Sequence, residues 1–125
     1  MQPLNWFAGW GMILVGFLSG AILGIGFHRA DFLGGYTSFR RRILRLGHIA
    51  LAELGTINVA FSLSPWPAPG TRLALVASVL LLFGGITMPA VCFLAGRRER
   101  YRRLFPITVA ALVAAVVVTL CGASP

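Results

Sequence analysis

The side chains that could bind a cofactor, a metal or a proton are few, and they lie within or beside long apolar segments. His28 and His48 are the two histidines of the chain. A haem b needs axial ligands on facing helices at similar depth, and imidazole is a usual ligand of haem iron. The pair therefore predicts a haem b site, and neighbouring arginines would suit the haem propionates through charge-assisted hydrogen bonds.

Copper is the alternative cofactor, with Met88 and Cys92 as its predicted ligands. These two residues lie four positions apart and share one face of a helix. Thioether and thiolate favour Cu(I), and imidazole suits copper as well. Helical rise places Cys92 and His48 about 6 to 8 Å inside one membrane boundary. A third interpretation needs no cofactor, because histidines also hydrogen-bond between helices and sulfur side chains fill cores.

The stretch 45–61 contains an acid and two further polar residues, Glu53, Thr56 and Asn58, within an apolar run. A charged side chain at the centre of a bilayer costs about 2.5 to 3.5 kcal/mol, so such a residue marks a candidate functional site. Glu53 is interpreted either as a proton-relay or cation-binding carboxylate, or as a protonated acid hydrogen-bonded to a helix or partner subunit. A helical wheel places Thr56 and His48 on its face and Asn58 opposite, where a helix contact is expected.

The composition defines the surroundings of these residues. The 125 residues are 58% hydrophobic and 11% charged, with a mean hydropathy of +0.85. Four apolar segments, at 6–27, 43–64, 73–96 and 104–121, are each near the 20 or so residues that cross a membrane as a helix. The sequence predicts an all-α integral membrane four-helix bundle, with residues 1–125 as a single domain.

The arginines set the predicted topology. The net charge is +8, and ten of the eleven arginines lie in two short regions, 29–45 and 97–103. The positive-inside rule therefore predicts both regions on the cytoplasmic side of the cell membrane and both termini outside. Because the charge lies between apolar segments, it indicates topology and lipid contact, and we expect no nucleic-acid partner. A proline-rich connection at 65–70 fits an outer turn.

Two glycine patterns predict how the helices pack. Gly16, Gly20 and Gly24 form a stripe of small residues in the first segment that allows another helix to approach closely and directs His28 toward it. Gly84, Gly85 and Pro89 predict a kink or a local break in the third segment.

The loops leave no room for a soluble catalytic domain, so we expect no catalytic activity of the chain's own. The leading hypothesis is an accessory subunit of a larger membrane complex, respiratory or otherwise engaged in electron transport. One alternative is a small transporter or metal-handling protein in which Glu53, His48, Met88 and Cys92 line a path. Another is a purely structural subunit that packs against other membrane subunits.

Overall fold

A computed structural model of the chain describes residues 2–123, which fold into four long helices. They are α1 (Pro3–Phe27), α2 (Phe39–Leu63), α3 (Arg72–Arg97) and α4 (Phe105–Cys121). Short 3-10 helices at Phe32–Gly34 and Glu99–Leu104 lie in the two arginine-rich connections. All four segments, α4 together with the turn before it, are long and apolar enough to cross a membrane. The prediction of an all-α bundle with four spanning helices is confirmed, and by helix length and composition the chain is a multi-pass membrane protein.

The helix starts are set by capping residues outside the apolar segments. α2 begins at Phe39, before the predicted residue 43, because the Ser38 hydroxyl accepts a hydrogen bond of 3.1 Å from the Arg41 amide. Thr71 caps α3 in the same way, accepting a bond of 3.2 Å from the Ala74 amide. Hydropathy marks the part of a helix that lies in hydrocarbon, whereas the cap fixes where the helix starts.

α1 and α2 approach so closely that two glycines meet at their crossing. A Cβ atom at Gly9 would lie 2.7 Å from the carbonyl oxygen of Gly55, and one at Gly55 would lie 2.8 Å from that of Gly9. Gly16 and Gly20 also face α2. Gly24, the last member of the predicted stripe, has no atom of residues 2–123 within 4 Å of its Cβ position, apart from its own helix and chain neighbours. The stripe therefore ends before it can direct His28 toward a neighbouring helix.

The glycines of α3 make room for other helices. α3 runs continuously from Arg72 through Pro89 to Arg97, so the predicted local break is absent, and the predicted kink stays a prediction. A Cβ at Gly84 would overlap the side chain of Leu112 in α4, and one at Gly85 would lie 3.1 Å from Nδ2 of Asn58 in α2. Because neighbouring helices fill both positions, these glycines permit close packing.

The helices pack in chain order, with α1 also touching α3 and with α1 and α4 as the outer members. Both arginine-rich connections lie at one end, where Ile43, Cys92 and Ala95 pack near Phe39 and Tyr101. At the other end, the Gln2 amide donates a hydrogen bond of 3.1 Å to the Ser62 carbonyl. The shared end of the two connections agrees with the positive-inside expectation, and the side of the membrane that this end faces stays a prediction.

Candidate functional site

His48 projects from α2 onto α1. Its Nδ1 atom is 2.8 Å from the carbonyl oxygen of Gly16 and 3.3 Å from the hydroxyl oxygen of Ser19. The ring occupies the space that a side chain at Gly20 would need. Because a carbonyl oxygen can only accept, Nδ1 carries the proton in this contact. Nε2 is then the ring nitrogen left for another partner, whether a donor or a metal.

His28 is exposed and lies just after the last residue of α1. It follows Gly20, which is level with His48, by eight residues, or about 12 Å of helix rise. Within residues 2–123, the imidazoles of His28 and His48 do not contact each other. A haem b held by both histidines stays a prediction.

Met88 and Cys92 lie one turn apart in α3, at the arginine-rich half of the bundle. The Sδ atom of Met88 accepts a hydrogen bond of 3.3 Å from the Thr108 hydroxyl. Cys92 is fully buried. A Cβ atom added at Gly47 would lie 2.8 Å from the Cβ atom of Cys92. Since Gly47 faces α3 and the next residue, His48, faces α1, the thiol and the imidazole lie on different sides of α2. Residues 2–123 contain no group of three or more His, Cys, Asp or Glu that could hold a metal ion; copper stays a prediction.

Glu53 occupies the outward surface of α2, away from α1 and α3. It is exposed, and it lies about 15 Å of helix rise from the end of α2 at Leu63. Ala52, Thr56 and Ile57 complete a shallow depression around it. The Thr56 hydroxyl donates to the carbonyl of Ala52 at 2.9 Å, so its donor is already used. The Glu53 carboxyl has no hydrogen bond or ion pair with any residue of the described chain.

An apolar groove continues from this depression toward α4. It has a volume of 310 Å³, and Ile57 borders both the groove and the depression. Leu81 of α3 lies in its floor and Val116 and Leu120 of α4 form its far wall. We call the exposed residues of α2 along this surface, Glu53, Thr56, Ile57 and Ala60, the docking face.

Asn58 lies on the buried side of α2 and belongs to a polar cluster that joins three helices. Its Oδ1 accepts a hydrogen bond of 2.8 Å from Nδ2 of Asn5 in α1, and its own Nδ2 donates to the Leu54 carbonyl at 2.9 Å. The Ser78 hydroxyl of α3 donates to Oδ1 of Asn5. Asn5 and Asn58 are completely buried.

Asn5 and Ser78 belong to this cluster and are not among the residues predicted from the sequence. A signal for Asn5 was present, because Asn5 and Asn58 lie at similar distances along the chain from the connection between α1 and α2. Residues at similar distances from the connection lie near the same level of an antiparallel helix pair. Ser78 gave no comparable signal, because serine is common in membrane helices as a packing residue.

The chain matches no protein-family model, no curated protein and no solved structure. The function is therefore argued from the fold and the chemistry of these surfaces.

Proposed function

We propose that this chain is an accessory subunit of a larger membrane complex and that it binds its partner through the docking face. The observation that carries the proposal is the exposed, unbonded carboxyl of Glu53 in the middle of a spanning helix. Lipid tails offer no hydrogen-bond donor, and polar groups within membranes almost always face protein or a water-filled cavity. A helix of a partner subunit that lies in the groove between α2 and α4 would supply that donor.

A second copy of the chain is a poorer occupant of this surface. All eleven arginines lie at or near helix ends or in the connections. The exposed hydroxyl of Thr56 is bonded to its own helix, as is that of Thr87, which donates to the Phe83 carbonyl at 2.6 Å. A second copy would thus bring little more than its own carboxyl to the level of Glu53, which favours a partner of different sequence.

The test is photo-crosslinking in native membranes, with a crosslinking residue at position 60 and a matched control at Phe17 on the exposed side of α1. We expect a crosslink to one other protein from position 60 and to lipid only from position 17. Glu53→Leu should lower that crosslinked fraction about threefold, the equivalent of one average interhelical hydrogen bond. Glu53→Gln should retain it, because an amide replaces a protonated acid as a hydrogen-bonding group. A crosslink to a second copy, or to lipid at both positions, would contradict the proposal.

The redox character of the complex rests on the histidines. His48, through Nε2, and His28 would hold the haem iron, and the arginine-rich connections, on the cytoplasmic side of the cell membrane, would lie near its propionates. A Soret band of the purified complex that disappears in His48→Ala would support haem b. Copper found by elemental analysis, and lost in Met88→Leu and Cys92→Ser, would support the copper interpretation instead. A colourless, metal-free complex would remove both.

A transporter makes a different prediction for the same residue. If Glu53 carried protons or cations, Glu53→Gln would abolish flux in reconstituted vesicles while the complex remained intact. The positions of the predicted path residues favour the accessory subunit, because Glu53 faces outward, His48 faces α1 and Cys92 faces Gly47. A purely structural subunit would show the position-60 crosslink with no bound cofactor and no flux.

A further inference from the structure

The first two turns of α2 concentrate positive charge where a helix is already positive. Arg40, Arg41, Arg42 and Arg45 lie there, and the first turn contains no acidic residue. The macrodipole places about half a positive charge at a helix N-terminus, so these arginines are repelled by the helix end as well as by each other. A compensating anion would stabilise this end of the helix.

Two of these guanidinium groups share a pair of aromatic rings. The Cζ atom of Arg41 lies 4.4 Å from the ring centre of Phe27 and 5.3 Å from that of Tyr36. Arg45 lies 5.9 Å and 5.7 Å from the same two rings. Distances below about 6 Å are typical of cation–π interactions, and these interactions hold both guanidinium groups beside the two rings.

The same two side chains have unmet hydrogen-bonding capacity. Arg41 is only 6% exposed, and the buried Nε atoms of Arg41 and Arg45 have no hydrogen-bond partner. The one salt bridge among residues 2–123 joins Arg29 to Asp31, and both of its side chains are exposed. No carboxylate of the described chain therefore neutralises this pair. Arg45 is the member of the pair that an external anion can reach, because its side chain lines an open cleft whereas Arg41 is buried behind it.

An open cleft of 440 Å³ lies beside these arginines, and its lining changes from polar to apolar along α2. Tyr36, Thr37 and Arg42 form the polar end, with Arg45 next to them. Leu46 and Ile49 form the apolar end and are exposed. They follow Arg42 by about one and two turns, toward the spanning part of α2. A free phosphate would use only the polar end of this cleft, whereas a phospholipid has a head group for one end and an acyl chain for the other.

We propose that this cleft binds one anionic phospholipid, with its phosphate at Arg42, Arg45 and the Thr37 hydroxyl and an acyl chain along Leu46 and Ile49. The Tyr36 ring holds Arg45 toward the phosphate, and Arg41 adds its charge from behind the same ring. Recognition of the lipid does not depend on the proposed partner subunit, because the cleft lies at the arginine-rich end of α2 and the docking face lies further along the helix.

Native mass spectrometry of the purified chain in a neutral detergent tests this site. The probes are dioleoyl phosphatidylglycerol, dioleoyl phosphatidylcholine and soluble glycerol 3-phosphate. We expect one tightly bound phosphatidylglycerol per chain. The double variant Arg42→Gln/Arg45→Gln should weaken its binding about thirtyfold, since each arginine near a membrane surface contributes about fivefold.

The matched control is Arg102→Gln/Arg103→Gln, which removes the same charge from the same end of the bundle but not from the cleft. It should bind phosphatidylglycerol like the wild type. Leu46→Asn/Ile49→Asn should weaken binding of the lipid while leaving any binding of glycerol 3-phosphate unchanged. If the first double variant fails to fold, Thr37→Val/Arg42→Gln, at two exposed positions, provides the same comparison.

Three outcomes would overturn the assignment. Equal affinity for phosphatidylcholine would show that the negative charge of the lipid is not recognised. Equal weakening in both arginine double variants would show general electrostatic attraction to the basic end of the bundle. Glycerol 3-phosphate binding as tightly as the lipid would identify a site for soluble phosphate.

Discussion

Glu53 and Asn58 lie five residues apart in the same helix, yet they meet opposite surroundings. Asn58 is fully buried, accepts a hydrogen bond from Asn5 and donates one to its own backbone. Glu53, about 7.5 Å of helix rise away, is exposed and has no polar partner among residues 2–123. One of these polar side chains is therefore satisfied within the chain, and the other is not.

The difference shows how polar residues in a small membrane protein divide between folding and assembly. A hydrogen bond that is complete within the chain joins its helices whatever surrounds the protein. A polar group left on the outer surface is costly in lipid, and the cost falls only when another molecule provides a partner. The buried side of α2 thus stabilises the fold, and its outer side is suited to binding.

The largest expected effect is at the closest contact of the buried side. Gly55→Ala adds a Cβ that would lie 2.8 Å from the Gly9 carbonyl oxygen, so α1 and α2 must separate. Overpacking of this kind typically costs about 1 to 3 kcal/mol, and we expect about 3 kcal/mol because the obstructing atoms belong to the backbone. Equilibrium unfolding in mixed detergent micelles measures it. Gly24→Ala, with open space at its Cβ position, should be neutral or slightly stabilising.

The next largest effect is at the polar cluster. Asn58→Ala leaves the Asn5 amide buried without its acceptor, and we expect a loss of about 2 kcal/mol in the free energy of unfolding. The double variant Asn5→Ala/Asn58→Ala should lose less than the sum of the single variants, because the second change removes the orphaned group. Additive losses in the same unfolding assay would show that the two amides do not act as a pair.

The sequence was sufficient for the fold because hydrocarbon permits few structures. Apolar segments of spanning length must be helices there, so the four helices follow from hydropathy alone. The residues at which the helices contact each other are harder to predict from the sequence. Gly16 and Gly20 were predicted and lie at the contact, whereas Gly24 has the same spacing and none. Spacing defines one face of one helix, and the partner's path across that face decides which residues are used.

The candidate site shows the same limit. The helical wheel grouped His48 with Glu53 on one broad face, but His48 contacts the Gly16 carbonyl of α1 while Glu53 faces outward. Five residues correspond to about 140° around an ideal helix, which is wide enough to reach two different neighbours. Asn58 was expected at a helix contact and has one with Asn5. Which side of α2 stays open depends on where α1 and α3 pack, and the sequence of α2 alone does not contain that information.

We expect a smaller loss in the free energy of unfolding at His48, which contacts a backbone carbonyl. His48→Ala removes the 2.8 Å hydrogen bond to the Gly16 carbonyl and leaves space beside Gly20. Hydrogen bonds between membrane helices average about 0.6 kcal/mol, and the lost packing adds to this, so we expect about 1 kcal/mol. His28→Ala is the matched control and should have no effect on unfolding, because His28 is exposed beyond the end of α1.

The smallest expected effect on the isolated chain is at Glu53. Glu53→Gln removes no contact within residues 2–123, so the free energy of unfolding in detergent should stay within about 0.5 kcal/mol of the wild type. Glu53→Leu should be equally neutral or slightly stabilising, because it exchanges an exposed polar group in an apolar surface for an apolar one. A loss of 2 kcal/mol or more in either variant would mean that Glu53 is bonded within the chain, as Asn58 is. The two sides of α2 would then both serve the fold, and the docking face would lose the property that distinguishes it.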